Sequence, residues 1–370
     1  MNEPRPFRQF ILKVHERCDL ACDHCYVYTK ADQRWRTRDR AMSLATADQV
    51  ARRVADHVRA HRLPAIEIVL HGGEPLLVGV PHLRALVRLF RSLVPAPVQV
   101  SMQTNGTLLD AAALSALVEL GVRTGVSVDG DRAAHDRHRR RHDGSGSYDA
   151  VAAAVRLLAT EPSIYGGLLC TIDVDNDPVR TYEALLQFSP PVVDFLLPNG
   201  NWSDPPPHIG LGTPYASWLI TVFDRWYAGT GEPVVRMFAE IINMLLGGSS
   251  AVEGFGTSPA ATVVVETDGA IEVSDMLSSA FEGAAATGLT VFDSSFDDAL
   301  EAPGILARRS PLCATCQACE LREVCGGGAY AHRFRAGSGF ANPSVYCADL
   351  QRLISHIRSR LVADVARLSR

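Results

Sequence analysis

The sequence predicts an α/β protein: a partial barrel of six β-α units, followed by a small cysteine-rich domain with a β-hairpin and a C-terminal helix. Two observations carry this. Apolar strand patterns alternate with amphipathic helix patterns through the first two-thirds of the 370 residues, and a group of cysteines follows the point where that alternation stops. Strand patterns stand at residues 10–14, 66–71, 98–103, 124–128, 167–172 and 192–197. Between them, residues 44–61, 81–93, 110–120, 147–159 and 180–187 place apolar side chains at three- and four-residue spacing with charge on the other face. Repeated β-α units imply a parallel sheet with right-handed crossovers. Six such units make a shortened, (β/α)6 relative of the eight-fold TIM barrel, with its working loops at the C-terminal strand ends.

After residue 197 the pattern breaks in LPNGNWSDPPPHIGLGTP, which is too rich in Pro, Gly and Asn for regular structure. Helices are expected at 215–227 and 234–246, then a Gly/Ser stretch to Pro259. Strands 263–267 and 271–273, turned by Asp268-Gly269, form a hairpin signal. An amphipathic helix closes the chain at 348–368. The expected division is residues 1–212 for the barrel, 213–262 for a helical linker and 263–370 for the small domain.

Apolar residues make up 47% and charged residues 21%, as in globular proteins, and the net charge of −5 offers no general attraction to nucleic acid or anionic lipid. No apolar run approaches membrane-spanning length and MNEPRPFRQF has no signal core, so a cytoplasmic protein is expected. Eight of the nine cysteines fall in two tight groups, which in a reducing compartment argues for metal ligation over disulfides. Cys170, alone in an apolar strand, reads as a core thiol.

Cys18, Cys22 and Cys25 form a Cys-x3-Cys-x2-Cys run on the loop after the first strand. Three thiolates can hold three corners of a 4Fe–4S cluster and leave one iron open to a chelating small molecule. A zinc site completed by His15 or His24 is the competing reading, but zinc is usually closed by two Cys/His pairs. At the end of the second strand stands His71-Gly72-Gly73-Glu74-Pro75, where glycines admit a close ligand and a carboxylate can accept from an ammonium group.

Together these two features resemble the radical S-adenosylmethionine (radical SAM) enzymes. The resemblance implies that Cys18, Cys22 and Cys25 ligate a 4Fe–4S cluster that binds S-adenosyl-L-methionine and cleaves it to a 5′-deoxyadenosyl radical. Gly72, Gly73 and Glu74 would hold the methionyl amine, and Tyr26 would lie near the adenine. VSVDGDRAAHDRHRRRHDGSGSYDAV is similar to a segment of the peptide-modifying branch. That match implies that Ser127 and Arg139 contact the ribose and the methionyl carboxylate, with Asp129 shaping the strand end. Most arginines of RHRRRH read as solvated. Asn105 ends the third strand at the same mouth and reads either as a cofactor contact or as an Asn-Gly turn.

Cys316, Cys319, Cys325 and Cys347 resemble the SPASM extension of such enzymes, which implies one auxiliary 4Fe–4S cluster; on spacing alone, a zinc knuckle also fits. The extension's other cluster is not expected, because Ser274 and Ala329 stand where it needs cysteines. Cys313 is surplus, either a free thiol or an alternative ligand. Asp275 matches the aspartate that acts as base in sulfatase-maturating relatives; its other reading is a solvated turn residue. CGGGAYAHRFRAGSGFANPSVYCADL and FRQFILKVHERCDLACDHCYVYTKADQRWR are similar to FxsB-type peptide maturases. That implies an aromatic-to-β-carbon crosslink, a cyclophane, in a ribosomally synthesised precursor peptide, with ferredoxin or flavodoxin as electron donor. Thioether formation, epimerisation, formylglycine formation and a non-catalytic Fe–S or zinc scaffold are the alternatives. No leader-binding module is expected before the first strand. The precursor is expected against residues 199–214 and 332–346, with Arg333 and Arg335 pairing with its carboxylates.

Overall fold

The computed structural model describes residues 5–250, 253–257, 261–308 and 311–368. In chain order the elements begin with β1 Gln9–His15, α1 Leu44–His61, β2 Ile66–Gly72, α2 Val80–Leu93, β3 Val98–Thr104, α3 Ala111–Leu120 and β4 Val122–Ser127. Next come α4 Arg132–His138, α5 Tyr148–Leu158, β5 Tyr165–Thr171, α6 Pro178–Leu186 and β6 Val192–Leu196. The third stretch holds α7 Pro214–Ala228, β7 Val234–Val235, α8 Arg236–Leu245, β8 Thr262–Val265, β9 Ala270–Glu272 and β10 Ala286–Thr290. The last holds α9 Phe296–Leu300, α10 Pro303–Ala307, α11 Ala314–Gln317, α12 Arg322–Cys325 and α13 Cys347–Leu368. The Gly/Ser stretch after α8 falls partly outside the described residues. No helix among the described residues is long and apolar enough to cross a membrane.

The chain divides into two compact units. The first comprises residues 1–128, 135–168 and 261–310. Its sheet runs β10-β9-β8-β1-β2-β3-β4, with β1 to β4 parallel in sequence order. β1 buries four of its seven residues and leaves the other three half-buried, with no exposed position. The caps are legible locally: Ser43 accepts from Thr46 N–H to start α1, and Asp110 accepts from Ala113 N–H to start α3. Helices α1, α2 and α3 pack side by side over these strands.

The hairpin lies elsewhere than expected. β8 pairs in parallel with β1, Gln9 opposite Thr262 through Leu12 opposite Val265, so the hairpin extends the barrel sheet instead of standing in the small domain. The reason is physical. Val263, Val264 and Val265 are fully buried, a lone two-stranded hairpin is marginal in water, and β1 would otherwise present an open edge. β10, which the sequence reading did not place, adds to β9 beyond it.

The second unit comprises residues 129–134, 169–260 and 311–370. Within it β6 pairs in parallel with β7, and α13 packs along α7 and α8 around Tyr215, Phe223, Phe238 and Tyr346. Asp129 accepts from Thr171 N–H at 2.9 Å, the strand-end role expected of it.

Candidate active site

The three N-terminal cysteines sit half-buried on the loop after β1, in no disulfide. Cys18 Sγ accepts from Leu20 N–H at 3.4 Å and from Asn105 Nδ2 at 3.5 Å, the kind of N–H···S contact that tunes a thiolate-bound cluster. Burial pushes the Cys18 thiol well up, so a metal would have to draw off its proton. Three soft donors with N–H support suit iron–sulfur ligation. His15, one candidate for a zinc ligand, accepts from Arg17 N–H through Nδ1 at 3.1 Å. The basic stretch is not merely solvated. The Arg140 carbonyl accepts from Ala21 N–H at 2.7 Å, and His142 Nε2 lies 3.0 Å from the Cys18 carbonyl, so this segment straps the cysteine loop.

The Gly-Gly-Glu turn packs directly beneath that loop. A Cβ on Gly73 would lie 1.8 Å from Tyr28 Oη and 2.5 Å from the Arg17 carbonyl, and one on Gly72 would lie 2.2 Å from the His15 carbonyl. Both glycines are therefore required by the approach of β1's extension, whatever ligand comes. Gly73 and Glu74 donate their N–H groups to His15 and Arg17. What the turn offers a ligand is accordingly acceptors. Glu74 is fully buried, and accepts from Thr104 Oγ1 at 2.7 Å, Leu76 N–H at 3.0 Å and Asn105 N–H at 2.8 Å. Burial pushes its carboxyl up to about 7 against those hydrogen bonds. Asn105 also donates to Asp19 at 2.8 Å and so joins the turn to the cysteine loop. Ser127 ends β4 and accepts from Gln103 Nε2 at 3.0 Å. Arg139 follows α4 half-buried, its carbonyl accepting from Ser147.

Asp275 is no solvated turn residue. Its carboxylate accepts from Lys13 Nζ at 2.6 Å and from Tyr26 Oη at 2.7 Å, and Lys13 Nζ stands 3.0 Å from His71 Nδ1. Burial alone would push this carboxyl up, yet the Lys13 ammonium and the hydrogen bonds from Lys13 and Tyr26 hold it well below the usual range. Burial, followed by the neighbouring ammonium, lowers His71 to about 4, leaving a neutral imidazole that accepts from Lys13. Tyr26 thus touches Asp275. The sequence reading missed Lys13 and His71. The signal was present: a lysine inside the apolar run Phe-Ile-Leu-Lys-Val is 4% exposed in a parallel strand, a position that demands a partner.

In the second unit, five free thiols converge. Burial first, then a hydrogen bond with Cys313 and the nearness of Cys347 and Cys325, pushes Cys316 up to about 12. Cys325 is pushed up by burial and by Cys347 and Cys319, and is opposed by the N–H groups of Gly327 and Gly328. Gly326, Gly327 and Gly328 all take positive φ, which aims N–H groups at Cys325 and carbonyls at Arg333. Arg333 donates to all three carbonyls, so it is committed to this turn, contrary to the expected pairing with precursor carboxylates. Arg335 is exposed and stacks on Trp202, 4.7 Å from the ring centre.

A sequence profile of the Radical SAM superfamily matches residues 12–183, a span that includes all three N-terminal cysteines and the Gly-Gly-Glu turn. The cysteine-type anaerobic sulfatase-maturating enzyme of Clostridium perfringens (strain 13 / Type A) is 25% identical over 282 residues, 72% of this chain and 73% of that protein. The serine-type enzyme of Klebsiella aerogenes is 25% identical over 359 residues, 91% of this chain and 83% of that protein. In fold, the chain is similar to native anSMEcpe with bound AdoMet, with a TM-score of 0.83 at 20% identity over 97% of this chain and 99% of that one. It is also similar to Streptococcus suis SuiB bound to precursor peptide SuiA, with a TM-score of 0.57 at 13% identity over 92% and 76% of the two chains. The cofactors of this chain are a 4Fe–4S cluster, suited by the spacing of Cys18, Cys22 and Cys25, and S-adenosylmethionine. The chain thus carries a Radical SAM superfamily domain at residues 12–183 and the catalytic fold of a radical SAM oxidoreductase, and over most of its length it is similar to the anaerobic sulfatase-maturating enzymes.

Proposed function

We propose that this enzyme oxidises a side-chain β-carbon in a peptide or protein. Cys18, Cys22 and Cys25 hold the catalytic cluster, and the acceptor face of Gly72, Gly73 and Glu74 takes the methionyl ammonium. Asn105, Ser127 and Arg139 line the same mouth for the rest of the cofactor. Cys316, Cys319, Cys325 and Cys347 hold an auxiliary 4Fe–4S cluster. When bound, these groups supply a 5′-deoxyadenosyl radical and an electron relay.

The observation that supports this reading is the Asp275 carboxylate, hydrogen-bonded to Tyr26, the residue next to Cys25. Held ionised by Lys13, it is ready to accept a proton. Its weakness as a base restricts it to a proton made acidic by the oxidation beside it. Both relatives reported above are named for sulfatase maturation, one cysteine-type and one serine-type. Oxidation of a serine or cysteine in a partner peptide is therefore our first reading. An aromatic-to-β-carbon crosslink is the second, resting on the terminal segments; there Asp275 would take the proton that leaves the ring.

The test is anaerobic reconstitution with iron and sulfide, followed by dithionite, S-adenosylmethionine and peptides from reading frames beside the gene or from sulfatase motifs. Release of 5′-deoxyadenosine with a hydrazide-reactive peptide supports side-chain oxidation. Loss of two hydrogens with a ring that resists fragmentation supports the crosslink. No 5′-deoxyadenosine from iron-loaded protein refutes both. Asp275→Asn is expected to lower product per 5′-deoxyadenosine at least ~100-fold, in the range of a lost general base.

A further inference from the structure

We infer that a pocket beside Asp275 binds the basic side chain of a residue neighbouring the reacting one in the peptide; the inference rests on the peptide-modifying reading. The pocket lies wholly within the first unit and is walled by five carboxylates and three cations. The cations are already matched. Lys13 pairs with Asp275, Arg34 with Asp32 and Glu272, and Arg38 with Glu272, Asp268 and, more loosely, Glu266. That leaves Glu16 without a close cation and Glu266 with only a loose one.

Glu16 is 5% exposed, lines the pocket, and its Oε2 has no hydrogen-bond partner among the described residues. Glu266, also 5% exposed, has an arm of Arg38 at 3.7 Å, beyond hydrogen-bond range. Burial, then Glu272 and Glu16, push the Glu266 carboxyl well up against Arg38 and Lys13, so it holds a proton that an entering cation would displace. Lys13, Arg38 and Arg17 act on Glu16 through their charge alone, and the Arg17 guanidinium donates to the Trp35 and Arg36 carbonyls.

An unpaired buried carboxylate is costly, and a cation entering the pocket relieves it. An organic cation fits better than a metal ion. Val27 and Trp35 form an apolar wall for a methylene stem, and among the described residues these carboxylates do not gather into a metal-ligating group. Entry of such a side chain would fix the register of the peptide with respect to Asp275.

The test is equilibrium dialysis of reconstituted full-length protein against acetyl-arginine amide, acetyl-lysine amide and the uncharged acetyl-citrulline amide. A charged probe is expected to bind at least tenfold more tightly than citrulline, and Glu16→Gln and Glu266→Gln are each expected to weaken it at least tenfold. Thermal melting identifies a variant that fails to fold, in which case the other decides. Equal binding of charged and uncharged probes, or unaltered binding by the folded variants, overturns the inference. So does a site that takes Mn²⁺ and neither amide. Probe binding by protein that releases no 5′-deoxyadenosine would instead refute the proposed function and leave the pocket intact.

Discussion

Lys13 is the residue on which the candidate site turns. It is a buried cation in an apolar strand, and its charge is kept by Asp275, 262 positions away in the chain. Burial lowers its affinity for a proton, but Asp275 and Glu266 more than offset that, so its pKa rises. Removing one partner leaves the other charge buried and unpaired. Lys13→Ala is therefore expected to cost about 3–5 kcal/mol of unfolding free energy, read by urea denaturation. The Asp275 carboxyl is depressed in the folded state. Its contribution is fully present above the ordinary carboxylate range near 3.8 and is lost as pH falls through its lower folded value. Lys13 works at the other end: its share is present below 10.5 and is lost above its raised value. His71 and His332 are both lowered to about 4 by burial first, so the unfolded chain binds their protons earlier. Their share of stability therefore falls as pH drops from 6.5 toward 4, opposed by the raised carboxyls of Glu74 and Glu266. His332→Phe should flatten part of that slope in a pH series of denaturant melts.

At the scale of elements, two joints decide the site. One is the Gly72-Gly73 turn, where β2 ends against the extension of β1. The 1.8 Å and 2.5 Å approaches at Gly73 leave no place for a methyl group, and one of the obstructing atoms is backbone. Gly73→Ala should displace the cysteine loop and lower bound iron by about half, measured per chain after reconstitution, if the other site is kept. The other joint is the pairing of β8 with β1. Val264→Pro removes a ladder N–H and should expose the hairpin. Amides of residues 262–272 should then exchange faster with deuterium while those of β3 and β4 stay protected. Product formation should fall as well, because Asp275 follows β9 directly and reaches Lys13 only through this pairing. Helix boundaries were largely legible, since Ser43 and Asp110 cap where the apolar periodicity begins. The attachment of the hairpin was not, because a Val-rich run specifies burial without naming its neighbour.

Across the whole molecule, two separate sets of thiols serve a chain with nine cysteines. Reconstituted protein is expected to carry about eight irons, and a Cys18→Ala/Cys22→Ala/Cys25→Ala variant about four. An iron count near four for both proteins would remove the auxiliary site from the proposal. Residue spacing by itself determined the β-α alternation, the two cysteine groups and the Gly-Gly-Glu turn, because each is a short-range pattern in which local backbone chemistry sets the outcome. Only the tertiary structure decided that the hairpin joins β1, that Asp275 meets Lys13 and Tyr26, that Arg333 turns inward to three glycine carbonyls, and that Glu16 and Glu266 share a pocket. These contacts join residues far apart in the chain. They are fixed by the burial of charge and the covering of a sheet edge, and neither leaves a periodic mark in the sequence.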